Sequence, residues 1–218
     1  MSDTIIILTT TVKIFNVYKV FQQDKNDRLN TYISAIKKWL NTEFKIIVVD
    51  NSGYTFPELE TNENLHIVSY LYHNVDIPEE NKFILSSIEK GHHEMLAIYQ
   101  AFSNIPSNWN YEKIFKLTGR YYIPNFKHIV SNIPQEALYY IQNRDVMCEL
   151  YGGKKNNVID LFKLPTIKNK KQISETIKKE RIDKILENYP NKNIVYKFPK
   201  LSVDPVIKGS RNTIMTKI

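Results

Sequence analysis

Two runs of consecutive aliphatic residues, IIIL at 5–8 and IIVV at 46–49, constrain this chain more than any other feature. A strand that is apolar at every position offers nothing to water on either face. It therefore belongs in a sheet covered on both sides, the usual situation of parallel strands. The first run lies in residues 4–11 (TIIILTTT), with three threonines where the strand emerges; the second lies in residues 44–50 (FKIIVVD) and leads into the turn Asn51-Ser52-Gly53. Between them Leu29, Tyr32, Ile33, Ile36 and Leu40 recur at helical spacing behind Asp24 or Asp27, either of which suits the N-cap, and Arg28 falls in the first turn. Strand, helix and strand make a βαβ unit. The chain is expected to be α/β, a three-layer sandwich around a mainly parallel, Rossmann-like sheet.

The rest of the sequence extends that pattern. Residues 65–71 (LHIVSYL) read as a third strand and residues 79–103 as a long amphipathic helix, with a start, kink or close contact expected at Lys90-Gly91, since glycine costs a helix interior about 1 kcal/mol relative to alanine. A strand follows at 112–123, where alternation groups Lys116, Thr118 and Arg120 on one face. Extended pieces at 137–142 and 145–151 are closed by Gly152-Gly153; residues 158–162 read as a helical turn, 172–189 as a helix, 193–198 as a last strand, and 200–218 as a basic tail. With 42% apolar residues and no linker-like tract, one domain is expected over 1–218. The lone Cys148 excludes an internal disulfide, and no apolar stretch reaches spanning length, so the expectation is a soluble, cytoplasmic protein.

The formal charge of +7 is unevenly spread: residues 1–110 hold 9 Lys/Arg against 13 Asp/Glu, and residues 111–218 hold 21 against 10. A basic half of this kind suits nucleic acid, an anionic lipid surface or a phosphorylated small molecule. Ligands of open α/β sheets lie beyond the carboxyl ends of the strands. The residues expected there are Thr9, Thr10 and Thr11 after the first strand, Asp50, Asn51 and Ser52 after the second, Lys90, Gly91 and Glu94 from the long helix, and Lys116, Thr118, Gly119, Arg120 and Tyr121 from the strand at 112–123. Hydroxyls, a carboxylate and several cations of this kind suit a nucleotide, with Asp50 accepting from base or ribose and the cations on phosphate.

The segment Ile46 to Gly53 (IIVVDNSG), together with Lys90-Gly91-x-x-Glu94 and Lys116-Leu117-Thr118-Gly119-Arg120-Tyr121, resembles nucleotide-sugar glycosyltransferases of the GT-A fold, in particular the bacterial and viral polysaccharide type. The resemblance covers residues 4–125. It implies a nucleotide-sugar-binding part at 1–125, an acceptor-side part at 126–218, a nucleotide-sugar donor, and a glycan or glycolipid acceptor. The wider fold carries an Asp-x-Asp motif near this strand end, whose carboxylates bridge Mn²⁺ or Mg²⁺ to the diphosphate. Here the segment offers Lys116, Thr118 and Arg120, an inverted charge, so fixed cations are expected to stabilise the leaving diphosphate without a metal, although Mn²⁺ or Mg²⁺ stays open through Asp76, Asp145 or Glu149.

For an inverting transfer the base is expected to be Glu149, with Asp145 as fallback. Arg28 and Arg211 join the donor-binding set, the latter through a tail that Gly209 lets close, and Lys208 has the same role open to it. His92 and His93 could bind substrate or phosphate, but adjacent histidines on a helix face different ways, so at least one is expected at the surface. Lys178, Lys179, Arg181 and Lys184 crowd one helix face, either as a solvated surface or against anionic glycolipid. No zinc cluster, GxSxG or GxxxxGK[ST] motif is present. Two other readings remain open at this point: a nucleic-acid-binding module, and a binding-only relative without catalysis.

Overall fold

The computed structural model describes residues 3–14, 22–142, 149–165, 174–188, 192–207 and 213–218. Strand β1 (Thr4–Thr10) and strand β2 (Lys45–Asp50) are buried at every position, as their unbroken apolar runs require, and helix α1 (Lys25–Leu40) crosses between them. Asp24 is the N-cap, its carboxylate accepting from the Asp27 amide at 2.8 Å, and Lys37 and Lys38 complement the dipole in the last turn. Strand β3 is Leu65–Ser69, shorter than the stretch its apolar content marks out; Leu71 makes only an isolated bridge to Ser52.

The expected helix over 79–103 is divided. A 3-10 helix, Glu79–Ile84, is followed by a turn, and helix α2 starts afresh at Lys90–Ser103, so Gly91 sits at a helix start, where it costs little. Strand β4 is Lys113–Thr118 and does not continue to residue 123. The amide of Gly119 donates to the Thr9 carbonyl at 2.9 Å, and a Cβ at Gly119 would lie 2.7 Å from Thr10 Cγ2 and 2.8 Å from the Thr9 oxygen, so glycine permits the chain to close against β1 here. Helix α3 (Phe126–Ser131) precedes β5 (Tyr139–Gln142) and β6 (Leu150–Lys154). Gly152 and Gly153 lie inside β6 instead of closing a turn. A Cβ on Gly152 would fall 2.1 Å from the Ile114 carbonyl oxygen, and one on Gly153 would fall 2.7 Å from that of Leu138. Close approach of neighbouring strands is what requires glycine at both positions.

Helices α4 (Ile159–Phe162) and α5 (Ser174–Asn188) lead through a 3-10 turn, Lys192–Ile194, to β7 (Val195–Phe198). The seven-stranded sheet has the order β3-β2-β1-β4-β6-β5-β7, with β6 antiparallel to both its neighbours and the other strands parallel, so one sheet draws strands from both halves of the chain. Alternation then sorts the core. Ile6, Leu8, Ile46, Val48, Phe115 and Leu117 meet Tyr32, Ile36, Trp39 and Phe126 on the side of α1 and α3. Ile5, Ile7, Ile47, Val49 and Ile114 meet Met95, Ile98, Phe162, Ile182 and Ile185 on the side of α2, α4 and α5. Helices on both faces make the three-layer α/β sandwich, and each fully buried aliphatic side chain contributes about 1.5–3 kcal/mol. No helix among the described residues is long and apolar enough to cross a membrane.

Two further corrections concern the basic half. Residues 200–218 are not a simple tail: β8 (Ser202–Ile207) and β9 (Ile214–Lys217) pair antiparallel. This ribbon is pinned by the Lys38–Asp204 ion pair at 2.5 Å and by the Asp204 amide donating to the Tyr122 carbonyl at 3.1 Å. Arg181 does not belong to a solvated cationic face either. It is buried, and its guanidinium donates to the Leu161 carbonyl at 2.6 Å, tying α5 to α4.

Candidate functional site

Strand β1 lies between β2 and β4, and the chain reaches those two neighbours by crossovers in opposite directions, which makes the β1/β4 junction the topological switch point. Thr10, Thr11, Gly119 and Arg120 stand at the carboxyl ends of β1 and β4 there. Asp50, at the end of β2, is fully buried and has five donors in hydrogen-bond range. Oδ1 takes the Ser52 amide (2.8 Å), the Ser52 hydroxyl (2.5 Å) and the Tyr54 amide (3.1 Å), and Oδ2 takes the Thr10 hydroxyl (3.0 Å) and the Val12 amide (3.0 Å). A carboxylate has about four lone-pair sites. Asp50 therefore fastens the loops after β1 and β2 together, although the single proton of the Thr10 hydroxyl is shared with the Val49 carbonyl at 3.0 Å.

Several neighbours are engaged in the same way. Thr11 Oγ1 donates to Asn51 Oδ1 at 2.8 Å, and Ser52 Oγ accepts from the Lys13 amide at 3.0 Å. Thr9 contributes its carbonyl to Gly119. Tyr121 is a core residue: its ring is buried on the α1 side and its carbonyl accepts from the Trp39 indole at 2.8 Å. Asp145 and Arg211, together with Lys208 and Gly209, lie outside the described residues.

Lys116 and Arg120 do not share a face. Because β4 ends at Thr118, alternation stops before Arg120. Lys116 turns toward α2, with no exposure to water, and its Nζ lies 2.5 Å from Glu94 Oε1, 3.3 Å from Thr118 Oγ1 and 5.6 Å from the Tyr151 ring centroid. A carboxylate thus already neutralises the cation expected to meet phosphate. Lys90 and Gly91 open α2 on this same side.

Arg120 turns toward α1 and is only half-buried. Its guanidinium lies 5.9 Å from the Tyr32 ring centroid, and Nη1 donates to the Ile207 carbonyl of β8 at 3.4 Å. Arg28 approaches the same ring to 5.7 Å. It is almost fully buried, with Nε and Nη2 donating to the Thr11 carbonyl (2.8 and 2.5 Å), Nη1 to the Gln22 carbonyl (3.1 Å) and Nη2 to the Tyr32 hydroxyl (3.0 Å). Burial lowers the Arg28 pKa; Tyr32 and Asp50 oppose that shift, and Arg120 adds to it. Neither guanidinium forms a carboxylate ion pair among the described residues. Tyr32 is buried on the core face of α1, as its helical spacing predicts. Its place one helical turn after Arg28 is the signal that would have paired them.

Glu149 lies opposite Thr118 across β4 and β6, its carbonyl accepting from the Thr118 amide at 2.9 Å, and by alternation from Leu150 it shares the sheet face of Tyr151 and Lys116. Its Oε2 is enclosed and without a hydrogen-bond partner among the described residues. His92 and His93 are both buried, contrary to expectation, because the turn before α2 folds over them. Ser87 meets His92 Nδ1 at 2.7 Å through its hydroxyl and His93 Nε2 at 2.6 Å through its carbonyl.

Burial lowers the pKa of both imidazoles. For His92 Glu89 opposes the shift and His93 adds to it; for His93 the Ser87 backbone bond opposes it. The unfolded chain, with ordinary values near 6.5, therefore takes up protons first as pH falls. Stability is expected to be fully present above about pH 6.5 and to fall below it, by up to about 1.4 kcal/mol per pH unit for each histidine until the folded-state value is reached. Urea midpoints across pH 5–8 in the wild type and in His93→Phe measure this.

The end of β4 presents Thr118, Gly119 and a guanidinium in place of paired carboxylates, and Glu94 is held by Lys116. Of the acids through which a metal stays open, Glu149 faces Thr118 and Asp145 lies outside the described residues. Among the described residues no three His, Cys, Asp or Glu side chains group as a metal site. Comparison of the sequence with models of known protein families gives no match, and comparison with curated proteins gives none.

Proposed function

We propose that the chain is a nucleotide-sugar-dependent glycosyltransferase, moving a sugar from its donor to a glycan or glycolipid acceptor. One observation carries this reading: Arg28 and Arg120 converge on one tyrosine ring at the switch point of a mainly parallel sheet, and neither forms a close ion pair with a carboxylate among the described residues. Two guanidiniums held together in this way, one of them nearly dehydrated, favour a multiply charged anion, and a diphosphate leaving group is such an anion. The GT-A resemblance of residues 4–125 supplies the chemistry to match.

In an inverting transfer the acceptor oxygen attacks the anomeric carbon, the bond from that carbon to the diphosphate oxygen breaks, and its electron pair leaves with the nucleoside diphosphate. The charge that develops there meets Arg120 and Arg28. The hydroxyl proton is proposed to pass to Glu149, whose carbonyl accepts from the Thr118 amide at the end of β4. A nucleic-acid interface would need exposed cations in a stripe with stacking aromatics. Arg28 is 4% exposed, too enclosed to stand in such a stripe.

A thermal-shift screen of UDP, GDP, dTDP and their sugars, with Mn²⁺ and with EDTA, tests the reading. A nucleotide present at a hundred times its Kd stabilises the native state by about 2.7 kcal/mol, and EDTA is expected to leave that shift intact. Oligonucleotides raising the melting temperature while every nucleotide fails would overturn it.

A further inference from the structure

The β8–β9 ribbon ends in a feature that the fold does not use. Val206 pairs with Met215 and Ile207 with Ile214 in its antiparallel register. Val206 and Met215 are partly buried against the core on the α1 side, so alternation turns the next pair, Ile207 and Ile214, the other way. They are 39% and 69% exposed. Single exposed apolar side chains are ordinary, but two directly opposite on one face of a ribbon have Cβ atoms about 5 Å apart and make one aliphatic patch. Strand propensity alone does not require it. Thr216, two residues along and exposed, supplies the same β-branching with a polar surface.

The charge around this patch has one sign. Residues 192–218 hold six Lys/Arg against one Asp. That acid, Asp204, is already paired with Lys38 at 2.5 Å, so the excess on the ribbon is positive. Lys200 and Lys217 are exposed, and Lys217 stands three residues along β9 from Ile214, about 10 Å at strand rise and so within about one Debye length. An aliphatic pair set in positive charge is complementary to a surface that is acidic outside and apolar beneath, which is the boundary of an anionic bilayer. Single-stranded nucleic acid would want aromatic rings for its bases, and residues 200–218 contain no aromatic side chain.

We infer that the outer end of the β8–β9 ribbon docks on an anionic membrane surface, with Ile207 and Ile214 entering the headgroup boundary and the ribbon's positive charge drawn to the acidic lipids. The Ile207 carbonyl accepts from Arg120 Nη1 at 3.4 Å, so docking brings that guanidinium to the lipid surface. On the nucleotide-sugar reading above, the acceptor is then the glycolipid and not a soluble glycan. The docking itself makes no use of the donor and is tested apart from it.

The full chain is floated with vesicles of phosphatidylcholine alone and of phosphatidylcholine with phosphatidylglycerol, at low and at high NaCl. The wild type is expected to float only with the anionic vesicles and to be released by salt. Ile214→Glu is expected to weaken vesicle binding about tenfold, and Lys217→Gln about fivefold. Both side chains are exposed, so the melting temperature of each variant should stay at the wild-type value. Ile159→Glu, at an isoleucine of α4 that is 56% exposed, serves as the control and should bind as the wild type does. A wild-type chain that floats with neither kind of vesicle overturns the inference. So does anionic-vesicle binding that Ile214→Glu leaves intact, or that Ile159→Glu weakens equally, since either result assigns it to net charge and not to the ribbon. Retention on an oligonucleotide but on neither vesicle assigns the cations to nucleic acid and overturns it as well. Failure of every nucleotide in the thermal-shift screen overturns the donor reading instead, and withdraws only the choice of acceptor.

Discussion

Arg120→Ala is expected to reduce kcat/KM for the nucleotide-sugar donor about 10²–10³-fold, the scale observed when one preorganised charge-stabilising donor is removed from an active site. The fold should survive. Arg120 is half-buried, its bond to the Ile207 carbonyl is long at 3.4 Å, and what it gives up structurally is a contact with the Tyr32 ring at an open site, less than about 1 kcal/mol. Arg120→Lys should recover part of the rate, since it keeps the charge and loses the planar fork. Steady-state turnover beside a urea melt separates catalysis from stability. Wild-type turnover in the alanine variant would remove Arg120 from the chemistry and with it the case for two guanidiniums on a diphosphate.

The second large effect concerns the pair that looked most like anion-binding residues. Glu94→Leu is expected to destabilise the fold by about 3–5 kcal/mol, because it strips a carboxylate from an ammonium with no exposure to water. Lys116→Met should cost less. The carboxylate it leaves behind has a side chain 20% exposed and can turn toward solvent, while the methionine refills most of the lysine volume beside Tyr151. The double variant is expected to lie close to Lys116→Met, the sign of coupling that a double-mutant cycle reads from denaturant midpoints. Equal losses in the two single variants would mean that burial of Lys116 does not govern the energetics of the pair.

Those two residues also show where sequence reasoning works and where it stops. The runs at 5–8 and 46–49 could be placed because a continuous apolar strand leaves no alternative to a covered sheet, and α1 because its period and its cap agree. Alternation put Lys116 and Thr118 on one face but said nothing of what covers that face. The cover is α2, which brings Glu94. The same alternation failed at Arg120, since Gly119 closes on β1 and ends the strand, sending the guanidinium to the opposite layer. Gly152 and Gly153 read as the close of an extended pair, and not as part of a strand, because proximity to the Ile114 and Leu138 carbonyls is a tertiary fact. The β8–β9 ribbon went unseen under its lysines and Pro205, and the burial of His92 and His93 depends on a serine turn that no periodicity announces.

The hydrogen bond from the Trp39 indole to the Tyr121 carbonyl gives the chain a built-in spectroscopic probe. That carbonyl follows Arg120 directly, and the ring also packs edge-on to Tyr122 at 4.9 Å and to Phe126 at 5.6 Å, so a ligand drawn against the guanidinium perturbs the polarity and packing around one indole. The chain's second tryptophan, Trp109, sits at the other edge of the sheet, 5.9 Å from the Lys45 ammonium at the start of β2. A Trp109→Phe background therefore leaves a single emitter on the side of Arg120, through which occupancy can be followed without an added dye.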